Sequence, residues 1–177
     1  IEFVKHFRAH LGTINDMVVS ANGSLLATVA SDKAVKVFDV INFDMINMIK
    51  LDYVPSCAAW VHKPGDAINV IAIAQEDSNE IRMYDGKSSS DVLKTLKIHP
   101  KPVSCMEYCV KYDIAISADQ GGMLEYWSGL SQDFGFPRAA RFESKLDTDL
   151  YELAKNKTQA LNMNISHNCE LLVTMGE

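Results

Sequence analysis

A unit of short apolar runs recurs along this chain with a nearly constant period, and that period limits the folds open to it. The first unit holds Ile14-Asn-Asp-Met17-Val-Val19, Leu25-Leu-Ala-Thr28 and Ala34-Val-Lys-Val-Phe38-Asp39, separated by turn residues. The same order returns in Cys57-Ala-Ala-Trp60, Val70-Ile-Ala-Ile-Ala and Glu80-Ile-Arg-Met-Tyr84-Asp85, and again in Val103-Ser-Cys-Met106-Glu-Tyr108, Ile114-Ala-Ile-Ser117 and Met123-Leu-Glu-Tyr-Trp127. The closing aromatics Phe38, Tyr84 and Trp127 stand 46 and 43 residues apart. The first-run markers Met17, Trp60, Met106 and Met163 stand 43, 46 and 57 apart, so one step is too long by about a dozen. Alternation such as Val35 and Val37 about Lys36 marks strands with two faces, and the Gly, Asn, Asp and Pro clusters between them mark turns. A fourth strand fits between units, at residues 4–7, 45–49 and 92–96. Four short strands per period make a β-propeller blade, which cannot bury its faces alone and must stack on neighbours.

The expected architecture is therefore all-β: a propeller segment of about three full blades, with partial blades at both ends, from a ring of seven or more, carrying a short helical insertion. Residues 1–9 are read as the last strand of a preceding blade, 10–50, 51–98 and 99–143 as blades, 144–158 as the insertion, and 159–177 as the start of the next blade. The first residues show neither a Met start nor a signal peptide, so the chain looks cut from something longer. Such an arc cannot close, and alone it is expected to aggregate or stay partly unfolded through its open edges.

Composition removes several function classes. Seventeen Lys and Arg against 23 Asp and Glu give a net charge of -6, which argues against a domain that wraps nucleic acid through a broad basic surface. No apolar run approaches the roughly 20 residues needed to span a bilayer. Cys57, Cys105, Cys109 and Cys169 form no CxxC pair, lack zinc-ligand spacing and lie in strand-like runs, as buried free thiols do in a reducing compartment. No cofactor, metal or small-molecule substrate is expected.

The first unit resembles a WD repeat in detail. His10 precedes Asp32 by 22 positions, Thr28 stands four before Asp32, and Phe38 stands six after it. The resemblance implies that these side chains form one buried hydrogen-bonded chain within the blade, with Phe38 shortening it because it replaces a Trp and has no ring N–H. In the third unit His99, Ser117 and Trp127 take matching places. Gly121 stands where the Asp is expected, and Asp119, two residues earlier, either joins the network or only caps a turn of another shape. The second unit is degenerate, with Ser56, Ala74, Ser78 and Tyr84 at the four places. His10, Asp32 and Thr28 or Ser20 also supply the residue types of a catalytic triad, but no nucleophile elbow or oxyanion loop accompanies them. His6, His62 and His167 fall in different units and are assigned to surface or packing. The Gly86-Lys-Ser loop lacks P-loop spacing and reads as a hairpin turn.

The long step falls at residues 144–157, which read as a helix. Asp149 is placed to cap it with Glu152 three residues on, Lys155 and Lys157 suit its carboxyl end, and Leu150, Leu153 and Ala154 make an apolar stripe. That stripe either docks on its own propeller or offers a helix to a partner. Candidate partner-binding residues are Asp149, Tyr151 and Glu152 here, with the basic start Lys5, His6 and Arg8.

Residues 33–48 (Lys33-Ala-Val-Lys-Val-Phe-Asp-Val-Ile-Asn-Phe-Asp-Met-Ile-Asn-Met), Pro64-Gly-Asp-Ala-Ile, Gly122-Met-Leu-Glu-Tyr-Trp and Thr148-Asp-Leu-Tyr-Glu-Leu-Ala-Lys together resemble one family over almost the whole chain. It is the family of peptidyl-prolyl isomerase domain and WD repeat-containing proteins, spliceosome-associated cyclophilins. The resemblance implies a nuclear protein, an amino-terminal propeller and a carboxy-terminal cyclophilin domain. Cyclophilin sites use an arginine, several aromatics and a backbone platform, none matched here, so no catalytic residue is carried over. The expectation is a noncatalytic scaffold for spliceosomal proteins, with RNA contact only incidental. The alternative is a WD-repeat peptide-recognition adaptor, such as a ubiquitin-ligase receptor or trafficking scaffold.

Overall fold

The computed structural model describes residue 6 and residues 8–88, 90–140 and 151–176. Within them the chain forms four antiparallel sheets in sequence order. The first is β1 (Ile14–Val19), β2 (Leu25–Ala30), β3 (Ala34–Asp39) and β4 (Asp44–Lys50), and the second is β5 (Pro55–Trp60), β6 (Val70–Gln75), β7 (Ile81–Asp85) and β8 (Val92–Leu96). The third joins β9 (Val103–Cys109), β10 (Ile114–Asp119) and β11 (Leu124–Ser128), and the fourth joins β12 (Ala160–Ile165) and β13 (Leu172–Gly176). Each strand pairs with the one before it, so every sheet is a meander, and neighbouring sheets meet through β1, β5, β9 and β12. These four inner strands line the axis of a propeller arc. The strand expected at residues 4–7 lies outside the described residues, apart from His6.

Period-two side-chain placement explains why the sheets stack. In β6, which is apolar throughout, Ile71 and Ile73 face the first blade and join Val29, Val35, Val37, Tyr53, Trp60 and Tyr84 in one core. Val70, Ala72 and Ala74 point the other way, into a second core with Met83, Met106, Ala115 and Trp127 of the third blade. A central strand covered on both faces has no polar side to show, hence its unbroken apolar run. A third core joins Cys105, Ile116, Ala118 and Leu124 to Ala160 and Met163 across the last interface. The outward face of the first blade, with Ile14, Met17 and Phe43, and the outer strand of the last, with Val173 and Met175, remain exposed. These are the two open ends of the arc.

Two departures from the sequence expectations concern length and phase. Among the described residues after β11, up to residue 140, there is a single 3-10 turn at Leu130–Gln132 and no fourth strand. The described residues of the insertion contribute one turn of helix, α1 (Glu152–Lys155), whose cap residue Tyr151 is itself helical and makes no side-chain cap bond. Asp149 and Leu150 lie outside the described residues. Leu153 packs into the third core, and the α-carbon of Gly122 passes so close under α1 that a Cβ there would meet Thr158 O at 2.2 Å and Ala154 N at 2.7 Å. The helix therefore docks on its own propeller.

Candidate functional site

The polar side chains that carry the most chemistry in this chain are joined to one another inside the blades. In the third blade the Trp127 indole N–H donates to Ser117 Oγ at 3.1 Å, and Ser117 Oγ lies 2.7 Å from His99 Nε2. An indole N–H can only donate, so the serine oxygen accepts it and the hydroxyl hydrogen passes to His99 Nε2. That assigns the remaining ring hydrogen to Nδ1, which faces Asp119 Oδ2 at 3.5 Å. Neither of these two atoms has a hydrogen-bond partner of ordinary geometry among the described residues, so they meet as a buried electrostatic contact. Asp119 thus joins the network, and it also accepts from the N–H groups of Gly121 and Met123 through its other oxygen. Burial pushes its carboxyl upward, but the His99 hydrogen bond and the two backbone N–H groups prevail and hold it below the ordinary value. All four side chains are closed to water.

The first blade repeats the motif with one link fewer. His10 Nδ1 lies 3.0 Å from Asp32 Oδ1, and His10 Nε2 lies 2.8 Å from Thr28 Oγ1. Burial raises the Asp32 carboxyl, whereas the Leu11 N–H and the His10 ring lower it, with the net result below the ordinary value. Phe38 stands where Trp127 stands in the third blade and offers no N–H.

In the second blade the sequence offset misplaces one residue. The β6–β7 register pairs Ile71 with Tyr84, whereas Leu26 pairs with Phe38 and Ala115 with Trp127. Its hairpin is one residue longer, so the position equivalent to Thr28 and Ser117 is Ile73, and Ala74 faces the opposite core. The network is replaced by a buried pair of tyrosine hydroxyls, Tyr53 and Tyr84, 3.3 Å apart, with the Arg82 guanidinium 4.7 Å above the Tyr53 ring. Arg82 is held in turn by Asp52 and Glu80 at 2.9 and 3.0 Å. Tyr53 lies in the connection between units, outside any repeated run, and so gave no sequence signal.

A relay along the inner strands also escaped the sequence reading. The second residue of each of the first three inner strands donates a side-chain hydrogen bond to the first carbonyl of the next. Asn15 Nδ2 reaches Pro55 O at 2.7 Å, Ser56 Oγ reaches Val103 O at 3.0 Å, and Ser104 Oγ reaches Ala160 O at 2.7 Å. Asp16 accepts from the Ala58 N–H at 2.9 Å, and the Trp60 indole donates to Val18 O at 3.2 Å. Ser56 therefore belongs to this relay and not to a degenerate tetrad. Beside it, burial lifts the Glu107 carboxyl to about 7, the Tyr108 N–H opposes that rise, and the charge of Asp16 adds to it.

Asp113 is a further buried carboxylate. It accepts from Tyr108 Oη at 2.7 Å, from the Gly129 N–H at 3.2 Å and from the Ser131 hydroxyl, and lies 3.5 Å from Lys63 Nζ. It ties the third blade's inner hairpin to the turn after β11. His62 is buried edge-on to Trp60, with ring centroids 5.4 Å apart, and His167 is exposed.

The sequence-predicted partner residues are not gathered into one surface. His6 and Arg8 are exposed at the first blade, whereas Tyr151 and Glu152 border the junction of the third and fourth blades. Lys5 and Asp149 lie outside the described residues. Among the described residues no group of three or more His, Cys, Asp or Glu side chains is arranged to hold a metal ion.

Comparison with known proteins resolves the family. The "WD domain, G-beta repeat" family matches residues 1–39. The human "Peptidylprolyl isomerase domain and WD repeat-containing protein 1" is 43% identical over 177 residues, covering 99% of this chain and 27% of that protein. The chain belongs to this family, as part of its WD-repeat region. Other members are a peptidyl-prolyl cis-trans isomerase of Arabidopsis thaliana, 40% identical over 94% of the chain and 26% of its own length, and "Peptidyl-prolyl cis-trans isomerase 9" of Schizosaccharomyces pombe, 34% identical over 94% of the chain and 27% of its own length. The chain thus spans about a quarter of the length of these curated relatives. A chain in the "Crystal Structure of Mitotic Checkpoint Complex" shares the fold, with a TM-score of 0.64 at 16% identity over 92% of this chain and 44% of that one. The WD-repeat region described here is not a catalytic fold, and the isomerase domain that the relatives are named for lies outside it.

Proposed function

We propose that this chain is part of a noncatalytic interaction scaffold, the propeller of a longer protein that also carries a peptidyl-prolyl isomerase domain, and that it acts in the nucleus within the spliceosome. The observation that carries the scaffold reading is where the reactive side chains go. His10, Thr28, Asp32, His99, Ser117, Asp119 and Trp127 are engaged with one another inside blades. A propeller built this way presents loops and rims, and propellers recognise other proteins through those. The tethered isomerase would then be positioned on X-Pro segments of bound partners, with any RNA contact secondary. The net charge of -6 favours protein partners over a nucleic-acid backbone.

The test is affinity recovery of the tagged full-length protein from nuclear extract. Co-recovery of splicing factors supports the proposal, and recovery of ubiquitin-ligase or coat subunits instead would replace it with an adaptor role. Turnover of a proline peptide by the WD-repeat region alone would overturn the noncatalytic assignment.

A further inference from the structure

The interface between the third and fourth blades holds two cysteines that come from different repeats. Cys109 closes β9, and Cys169 sits in the β12–β13 turn; both are free thiols, and burial, with Cys169 as a close neighbour, raises the Cys109 thiol above its ordinary value. They line one groove of about 240 Å³, whose walls are Ile114, Ile116, Ile165 and Leu172. Cys109 is buried and Cys169 is partly exposed.

The backbone at Cys169 makes the placement more than packing. The β12–β13 turn repeats the serine bonds of the β1–β2 turn: Ser20 Oγ donates to Asn22 Oδ1 and accepts from Leu25 N, and Ser166 Oγ donates to Asn168 Oδ1 and accepts from Leu171 N. In the first turn the left-handed residue is Gly23, at φ 73°; in the second it is Cys169, at φ 59°. A side chain there is disfavoured, so a thiol replaces the residue that the turn itself prefers. Beside it, the Lys111 ammonium donates to Asn168 O at 3.3 Å and interacts electrostatically with both thiols.

We infer that Cys109 and Cys169 form a reversible disulfide that staples the third blade to the fourth when the protein meets a peroxide. The partly exposed Cys169 thiolate attacks one peroxide oxygen, the O–O bond breaks, and water leaves after protonation, giving a sulfenic acid. The Cys109 sulfur then attacks the Cys169 sulfur, the S–O bond breaks, a second water leaves with the Cys109 proton, and the S–S bond forms. Two thiols lose two hydrogens, and one peroxide is reduced to two waters. Thiol reductant restores the pair, as for the transient disulfides of reducing compartments. The bond closes a loop containing β10, β11, α1 and β12, and so restrains opening of this interface.

The experiment treats the full-length protein with hydrogen peroxide, blocks remaining thiols by alkylation, and maps peptides by mass spectrometry with and without reductant. The expected product is a Cys109–Cys169 cross-linked peptide, lost on reduction, while Cys57 and Cys105 stay alkylated. Cys169→Gly restores the residue used at the equivalent turn, so it is expected to fold at least as stably and to lose the cross-link. Irreversible oxidation of Cys169 without a link, a Cys169–Cys169 dimer, or independent alkylation of both thiols after peroxide would each overturn the proposal.

Discussion

Ser117→Ala tests whether the buried polar chain of the third blade holds the blade together. Ser117 is fully buried, and Trp127 and His99 beside it are 1% and 3% exposed. Its hydroxyl serves two neighbours at once, accepting from Trp127 and reaching His99. Alanine leaves the indole N–H and His99 Nε2 both without the partner they have, in a space closed to water. An unpaired buried polar group costs about 1–3 kcal/mol, so the two together cost about 2–6 kcal/mol, with about 3 as the central expectation after relaxation. The first blade supplies the control. Thr28→Val removes a hydroxyl that serves His10, where Phe38 brings no N–H, so the cost should be about half as large. Amide hydrogen exchange of the full-length protein reads each blade separately, which suits a repeat architecture better than a single melting point. A loss of about 3 kcal/mol accelerates exchange in β10 and β11 roughly a hundredfold. Acceleration below about fivefold, or equal effects of Ser117→Ala and Thr28→Val, would refute the idea that one hydroxyl satisfies two groups.

Three further outcomes follow from other parts of the arc. Because the Asp119 carboxyl is held below its ordinary value of 3.8, it stabilises the fold above that pH, and its contribution is lost as pH falls through the folded-state value. Asp119→Asn should therefore flatten the acid loss of third-blade protection below about pH 4, at the expense of lower protection at neutral pH. Glu107 has the opposite sign: its folded-state value of about 7 lies above the ordinary 4.5, so the stability associated with its protonated form is full below 4.5 and is lost as pH rises through about 7. Glu107→Gln should raise thermal stability at about pH 8 and change it little at about pH 4, and an equal gain at both would count against burial as the cause. Gly122→Ala places a Cβ 2.2 Å from Thr158 O at φ +81°, so it should lift α1 off the blade and expose Leu153, read as faster exchange in α1 and the start of β12. The cost is about 2 kcal/mol or more, from backbone strain and the displaced contact together.

The periodic part of the fold could be read from the sequence because strand phase and turn chemistry are local. Val35 and Val37 about Lys36, or the run at 70–74, report their own environment without reference to distant residues. What could not be read depends on loop length and on partners in other blades. Asp119 stands two positions before the expected aspartate, yet the register shift between Ala118 and Asp119 turns its carboxylate toward His99. Ile73 rather than Ala74 takes the third network place because one extra hairpin residue changes the face. The insertion has the composition of a capped helix, but contact with Gly122 and the third core, not capping, fixes its one described turn. Cys109 and Cys169 meet across an interface, and no spacing rule within either repeat announces them.

The inner-strand relay has a mechanical meaning. Asn15, Ser56 and Ser104 each pass one bond from hub to hub, so successive spokes are pinned where they converge and are left to flex where they diverge. Torque applied at the circumference therefore turns each sheet about a fixed pivot, and pitch between sheets is set at the axle. At the corresponding place in β12 stands Leu161, a side chain that cannot donate, so the relay seen here runs through three hubs and stops at the fourth.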